Sequence, residues 1–143
     1  MNLLKSIAAT LLAILAVMMS PAANAADYVL DDQHTSVVFA ANHFGYSYTY
    51  GMFGKYKGAF SIDMDDAAAG TFQFTIDAAS LDTKSVKRDE HLRGPDFFNV
   101  KQFPEISFQS TSIKADGKQL KITGTLKLHG VEKPIVLPLT YLG

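Results

Sequence analysis

The chain has 143 residues, with 13 Lys and Arg against 14 Asp and Glu, a length that suits one domain rather than two. A formal net charge of −1 with no basic cluster excludes nucleic acid as a partner, because that affinity rests on neutralising phosphates. The absence of Cys removes disulfides and thiol chemistry, so stability must come from a packed interior.

Residues 1–25 read as an export signal. Lys5 supplies the positive start, Ile7 to Met19 is apolar apart from Thr10, and Ala23-Asn24-Ala25 offers a small-x-small cleavage site. No other apolar run is long enough to span a bilayer, so no transmembrane span is expected after processing. The mature domain is then residues 26–143. It keeps all ten Phe and all six Tyr, a composition that favours strands.

From Thr35 the chain alternates with the period of a strand: Val37, Phe39 and Ala41 share one face, while Val38, Ala40 and Asn42 share the other. A second strand-like run is Tyr46 to Tyr50, broken at Gly51. Gly51, Gly54 and Gly58 follow at short intervals and predict bulges or sharp bends. Gly58 to Met64 and Thr71 to Asp77 predict a hairpin, with Asp65-Asp66 and an Ala/Gly segment at its turn. Residues 84–100 lose the alternation and predict a loop with one or two helical turns. The clearest hairpin joins the Ile106, Phe108, Ser110 run to Leu120, Ile122, Gly124, Leu126 and Leu128 around Asp116-Gly117. A last run carries Ile135, Leu137, Leu139 and Tyr141. About seven strands with one helical interruption predict an all-β domain, an antiparallel sheet curled into a barrel or sandwich.

Catalytic and metal chemistry finds little support in these residues. His34 and His43, an odd number of residues apart on one expected strand, would face opposite ways. His129 stands at a strand end, and His91 lacks the His-Glu-x-x-His pairing of a helix-borne zinc site. No Ser occupies a Gly-x-Ser-x-Gly elbow, and Gly51-Met52-Phe53-Gly54 is too short and aromatic for a dinucleotide fingerprint. Asp31-Asp32 and Asp65-Asp66 read as turn residues. No catalytic residue, metal ligand or cofactor is assigned. The inner face, with Val37, Phe39, Phe72, Phe74, Ile106, Phe108, Leu120, Ile122, Leu126 and Leu128, is either filled solid or hollow for an apolar guest.

Three blocks in order carry a likeness to a known family. Asp32-Gln33-His34-Thr35-Ser36-Val37-Val38-Phe39 is followed by His43-Phe44-Gly45-Tyr46-Ser47 and Tyr50-Gly51-Met52-Phe53. The middle block runs from Lys87-Arg88-Asp89-Glu90-His91-Leu92-Arg93-Gly94-Pro95 through Phe97-Phe98-Asn99-Val100 to Phe103-Pro104-Glu105. The last runs from Gly124-Thr125-Leu126 to Lys133-Pro134-Ile135. Together they resemble the YceI family across essentially the whole of residues 26–143.

The resemblance implies a lipocalin-like antiparallel barrel, with a short helical loop around 86–100. It further implies periplasmic export, no enzymatic activity, and a long-chain isoprenoid or related amphiphilic lipid held inside, an isoprenoid quinone being one candidate. On this reading the tail lies against Phe39, Phe53, Phe60, Phe72, Phe74 and Phe108. The loop bearing His91, Arg93, Phe97 and Phe98 covers a mouth and meets the polar head. Alternatives stay open at two points: Phe97-Phe98 as a plug, and Arg93 as a surface ion-pair partner of Asp89 or Glu90. Which way Tyr46, Tyr48 and Tyr50 face is also open. Family members usually continue past the point matching Leu142-Gly143, so an incomplete barrel and a truncated chain are expected. Two rival readings are an exported metal-dependent enzyme, and a solid-core structural or partner-binding module whose open edge pairs with another chain, as in a homodimer.

Overall fold

A computed structural model describes residues 26–63, 66–140 and 142. The expected signal at 1–25 and part of the expected Asp65-Asp66 turn lie outside the described residues. Nine strands and one helix are present among those described: β1 Ala26–Val29, β2 Val37–His43, β3 Ser47–Phe53, β4 Tyr56–Ile62, β5 Thr71–Asp77, β6 Leu81–Asp82, α1 Val86–Arg93, β7 Glu105–Asp116, β8 Gln119–Leu128 and β9 Val131–Thr140. Every pairing is antiparallel. The larger sheet runs β1-β4-β5-β7-β8-β9 and the smaller β2-β3-β6. The fold is all-β and lipocalin-like, but the barrel is open. No described strand joins β9 to β1 or to β2.

Alternation explains why these segments are strands, and turn chemistry explains where they reverse. Three hairpins close tightly: β2–β3 in the three residues Phe44-Gly45-Tyr46 (φ +54° and +80° at the first two), β7–β8 in Gly117-Lys118 (φ +62° at Gly117) and β8–β9 in His129-Gly130 (φ +53° and +74°). These left-handed conformations belong to the primed turns, whose twist matches that of the flanking strands. β9 carries Pro134 and Pro138 and is an edge strand, the place in a sheet where a missing N–H costs no ladder bond.

The expected hairpins are found, β4 with β5 and β7 with β8, in the alternation read from the sequence. Three expectations need correction. The run from Tyr46 does not stop at Gly51, since β3 continues through it to Phe53. His34 lies in the turn before β2 and so shares no strand with His43. Gly51, Gly54 and Gly58 do not have the positive φ of a glycine turn, which is confined to Gly45, Gly117 and Gly130 among the glycines described. Two short strands, β1 and β6, have too few residues to show a period.

Inward side chains gather in two clusters. One centres on Phe108, Ile113, Leu120, Ile122 and Ala67, flanked by Ile62, Phe72, Leu126 and the inward residues of β9. The other centres on Phe53, Ile76 and Leu81, flanked by Val37, Phe39, Phe74, Leu92, Phe98 and Ile106. The second cluster is closed at one end by α1 and the segment that follows it. An isolated helix of this length would be marginal in water, so its position depends on tertiary bonds.

Asp89, buried in the first turn of α1, supplies some of them. Its Oδ1 accepts from the Thr83 amide at 2.9 Å and from Thr83 Oγ1 at 2.6 Å. Arg88 Nε in turn donates to Thr83 Oγ1 at 2.7 Å and its Nη2 to the Thr83 carbonyl at 2.6 Å.

Two outcomes test this description. Leu120 has no exposed surface, and Leu120→Ala should cost about 2–5 kcal/mol, read as a lower urea midpoint with an unchanged slope. Asp89→Asn exchanges a charge-assisted acceptor for a neutral one in a buried setting and should cost roughly 1–3 kcal/mol by the same measurement.

Candidate functional site

The inner face of the larger sheet can be laid out from its register. One row runs Tyr56, Ile76, Ile106 across β4, β5 and β7. The next runs Gly58, Phe74, Phe108, Leu126 from β4 to β8, and the next sets Ser110, Gly124 and Ile135 side by side on β7, β8 and β9. Above these rows, between the two clusters, lies a cavity of about 280 Å³. Its walls are Phe72, Phe74, Ile76, Ile106, Ser107, Phe108, Leu126, Ile135 and Leu137. No charged side chain lines it, so whatever enters is held by dispersion and by release of water from apolar surface. At this point the inner face carries an open apolar depression.

The ten residues expected to bind a ligand separate into four groups, the last being His91, Arg93 and Phe97 of the loop. Phe72, Phe74 and Phe108 line the cavity. Phe60 stands beside it, 6.0 Å from Phe72 and stacked on Tyr28 at 4.9 Å. Phe39, Phe53 and Phe98 form an aromatic cluster at the end closed by α1, with centroids 5.3, 5.8 and 6.5 Å apart. Phe98 thus serves as a plug, whereas its neighbour Phe97 is half exposed and meets the His91 ring edge to face at 4.9 Å.

Arg93 takes a role that neither expectation named. Its Nε donates to the Ala79 carbonyl at 2.8 Å and its Nη2 to the Leu81 carbonyl at 2.5 Å. The planar guanidinium spans two backbone acceptors and fastens α1 to β6. Two of its three nitrogens are turned to the protein's own backbone, and no ion pair with Asp89 or Glu90 is formed. His91 stands at the surface, 3.4 Å from an Asp96 carboxylate oxygen.

The lining residues Ile76, Ile135 and Leu137 were not picked out as candidates, and Ile106 and Leu126 were placed on the inner face only. A signal for β9 was present in the alternation of Ile135, Leu137 and Leu139. The tyrosines resolve as well: Tyr48 and Tyr50 pair with Asn42 and Ala40 on the outer face, and both are exposed.

Among the described residues, the titratable groups with displaced pKa values lie away from the cavity. The Asp31 carboxyl is held below its ordinary value by a hydrogen bond with His34, then by the Gln33 amide. The Asp82 carboxyl is lowered and the Lys84 ammonium raised by their mutual hydrogen bond at 2.7 Å. Asp31 and Lys84 are exposed and Asp82 is half-exposed, and screening leaves such pairs little weight. Among the described residues no group of three or more His, Cys, Asp or Glu is placed to hold a metal ion.

Comparison with known proteins agrees with this architecture. Protein YceI of Escherichia coli O157:H7 is 45% identical over 121 residues, covering 83% of this chain and 63% of the relative. Protein YceI of Salmonella arizonae is 43% identical with the same coverage. The chain thus spans less than two thirds of the length of these relatives.

Among solved structures, BcnA of Burkholderia cenocepacia superposes with a TM-score of 0.73 at 30% identity, over 78% of this chain and 70% of that one. The Campylobacter jejuni YceI protein gives 0.59 at 38% identity, over 78% and 66%. A polyisoprenoid-binding domain from Saccharophagus degradans shares the fold with a TM-score of 0.59 at 19% identity, over 83% and 70%. The YceI-like domain family matches residues 28–143, nearly everything the structure describes, and the chain belongs to that family.

Proposed function

We propose that this chain binds a long-chain isoprenoid or related amphiphilic lipid and acts in the bacterial periplasm as its carrier or store, an isoprenoid quinone being one candidate ligand. The observation that carries the reading is the open hollow over the inner face, lined by Phe, Ile and Leu with Ser107 and without a titratable group. Such a site suits a hydrocarbon chain and offers nothing to general acid–base or nucleophilic catalysis, which favours binding over an enzymatic role. The fold shared with a polyisoprenoid-binding domain supports the ligand class. The leader-like residues 1–25 support export.

Magnitudes limit how much of a lipid the cavity takes. At about 280 Å³ it falls just under the roughly 300–1,000 Å³ usual for small-molecule sites, so it accommodates a segment of a polyprenyl tail. Each buried methylene contributes about 0.8 kcal/mol, so more than roughly five of them are needed to exceed the lower estimates of association cost, about 4 kcal/mol. The remainder of the tail would lie along the open side of the sheet beside β9.

Protein isolated from a periplasmic fraction and extracted for mass spectrometry should yield a long-chain amphiphile in near-stoichiometric amount. A ligand-free spectrum, or recovery of the protein only from cytoplasm, would count against the reading. Arg93→Ala separates anchoring from head-group recognition. Loss of two charge-assisted bonds to carbonyls should lower stability by about 1.5–3 kcal/mol each at most, with geranylgeraniol affinity unchanged in the folded variant. A fall in affinity without a fall in stability would assign Arg93 to the ligand instead.

A further inference from the structure

Three phenylalanine rings of the interior lie across a glycine of a neighbouring strand. A Cβ added to Gly51 would fall 2.3 Å from Phe39 Cζ, one on Gly58 2.9 Å from Phe74 Cδ2, and one on Gly124 2.4 Å from Phe108 Cζ. No side chain fits in the space the rings now fill. None of the three glycines has a positive φ, so backbone conformation is not what calls for glycine there. Room for a ring is. Gly51 and Gly58 are direct cross-strand partners of Phe39 and Phe74, and Gly124 is diagonal to Phe108 through the Phe108–Leu126 and Ser110–Gly124 pairs.

Two of the three rings, Phe74 and Phe108, are walls of the cavity. Strand side chains ordinarily stand roughly perpendicular to the sheet. A ring kept upright by a bulkier neighbour would project into the hollow and occupy it. A ring laid over a glycine leaves the space above it open.

We propose that Gly58 and Gly124 are specificity-determining residues: by letting Phe74 and Phe108 lie down, they give the cavity the breadth that a methyl-branched chain requires and a straight alkyl chain does not. This rests on the lipid-binding reading for the identity of the guest, but the effect on the cavity itself does not. Gly58 is the better position to test. An added methyl there meets Phe74 Cδ2, Leu30 Cδ1 and the Gln73 carbonyl, each at 2.9 Å, whereas at Gly124 it would meet the Gln109 carbonyl at 2.3 Å and displace β7.

The experiment titrates the described chain and its variants with geranylgeraniol, a branched alcohol, and hexadecanol, a straight one, and follows xenon uptake by NMR as a probe of the cavity without lipid. In Gly58→Ala the affinity for geranylgeraniol should fall within the roughly 10–200-fold range that one methyl group commands in an apolar pocket, with hexadecanol affected less. Xenon uptake should fall too. Adding Phe74→Leu to Gly58→Ala should restore both, because the methyl acts through the ring, and that coupling is what a double-mutant cycle reads.

Equal losses for the two alcohols, or unchanged xenon uptake in Gly58→Ala, would overturn the proposal, as would failure of Phe74→Leu to rescue. If Gly58→Ala does not fold by circular dichroism, Phe74→Leu alone decides: greater xenon uptake supports the proposal and no change overturns it. If the parent chain takes up xenon but neither alcohol, and xenon uptake falls and is rescued as described, the lipid reading fails while the glycines keep their control of the cavity's breadth.

Discussion

A curved antiparallel sheet that is apolar on one face must cover that face, and the rest of this structure follows from how far it succeeds. Along β5, β7, β8 and β9 the inward positions are Phe, Ile and Leu apart from Ser110 and Gly124, while the outward ones include Gln73, Gln109, Lys121 and Lys127. The strand period of two makes that separation automatic once the register is set. The smaller sheet, α1 and Phe98 cover one end, and Ala67 with the β7–β8–β9 cluster fills the other. Phe74 and Phe108, cross-strand partners, join the two clusters, and the apolar hollow lies over them.

The polar groups of this fold are spent on holding the cover in place. Asp89 and Arg88 converge on Thr83, and Arg93 reaches the carbonyls of Ala79 and Leu81. Among the described residues no buried side-chain polar atom lacks a partner. A short helix with so little intrinsic stability is thereby fixed against β6, and the aromatic cluster beneath it is closed. Asp89, Arg88 and Arg93 of the middle block thus act on the architecture of the loop, and no charged side chain lines the cavity.

How much could be read beforehand differs from residue to residue. The β7–β8 hairpin was legible because alternation on both sides frames Asp116-Gly117, a turn signal that needs no distant partner. The inner faces of Phe72, Phe74, Ile106, Phe108 and Leu126 were legible for the same reason. Arg93 was not: its chain position beside Asp89 and Glu90 suggested an ion pair, but its acceptors are carbonyls twelve and fourteen residues away. Gly51 and Gly58 were misread as bends, since a glycine that makes room for a ring and one that turns the chain look alike until the neighbouring strand is known. Phe98 and Phe97, adjacent in sequence, part company at the end of the loop, one to the interior and one to the surface.

Local chemistry, acting over a few residues, was enough to establish an all-β chain, its main hairpins, its helical interruption and the apolar identity of its inner surface. Family membership was also legible, because the blocks that carry it are contiguous stretches of chain. Which strands become neighbours, how the two sheets divide, where Arg93 reaches and whether the interior holds a space all depend on contacts between residues far apart. Packing is a property of facing surfaces: a phenyl ring fills or frees a volume according to what lies opposite it, and no periodicity along a single strand records that.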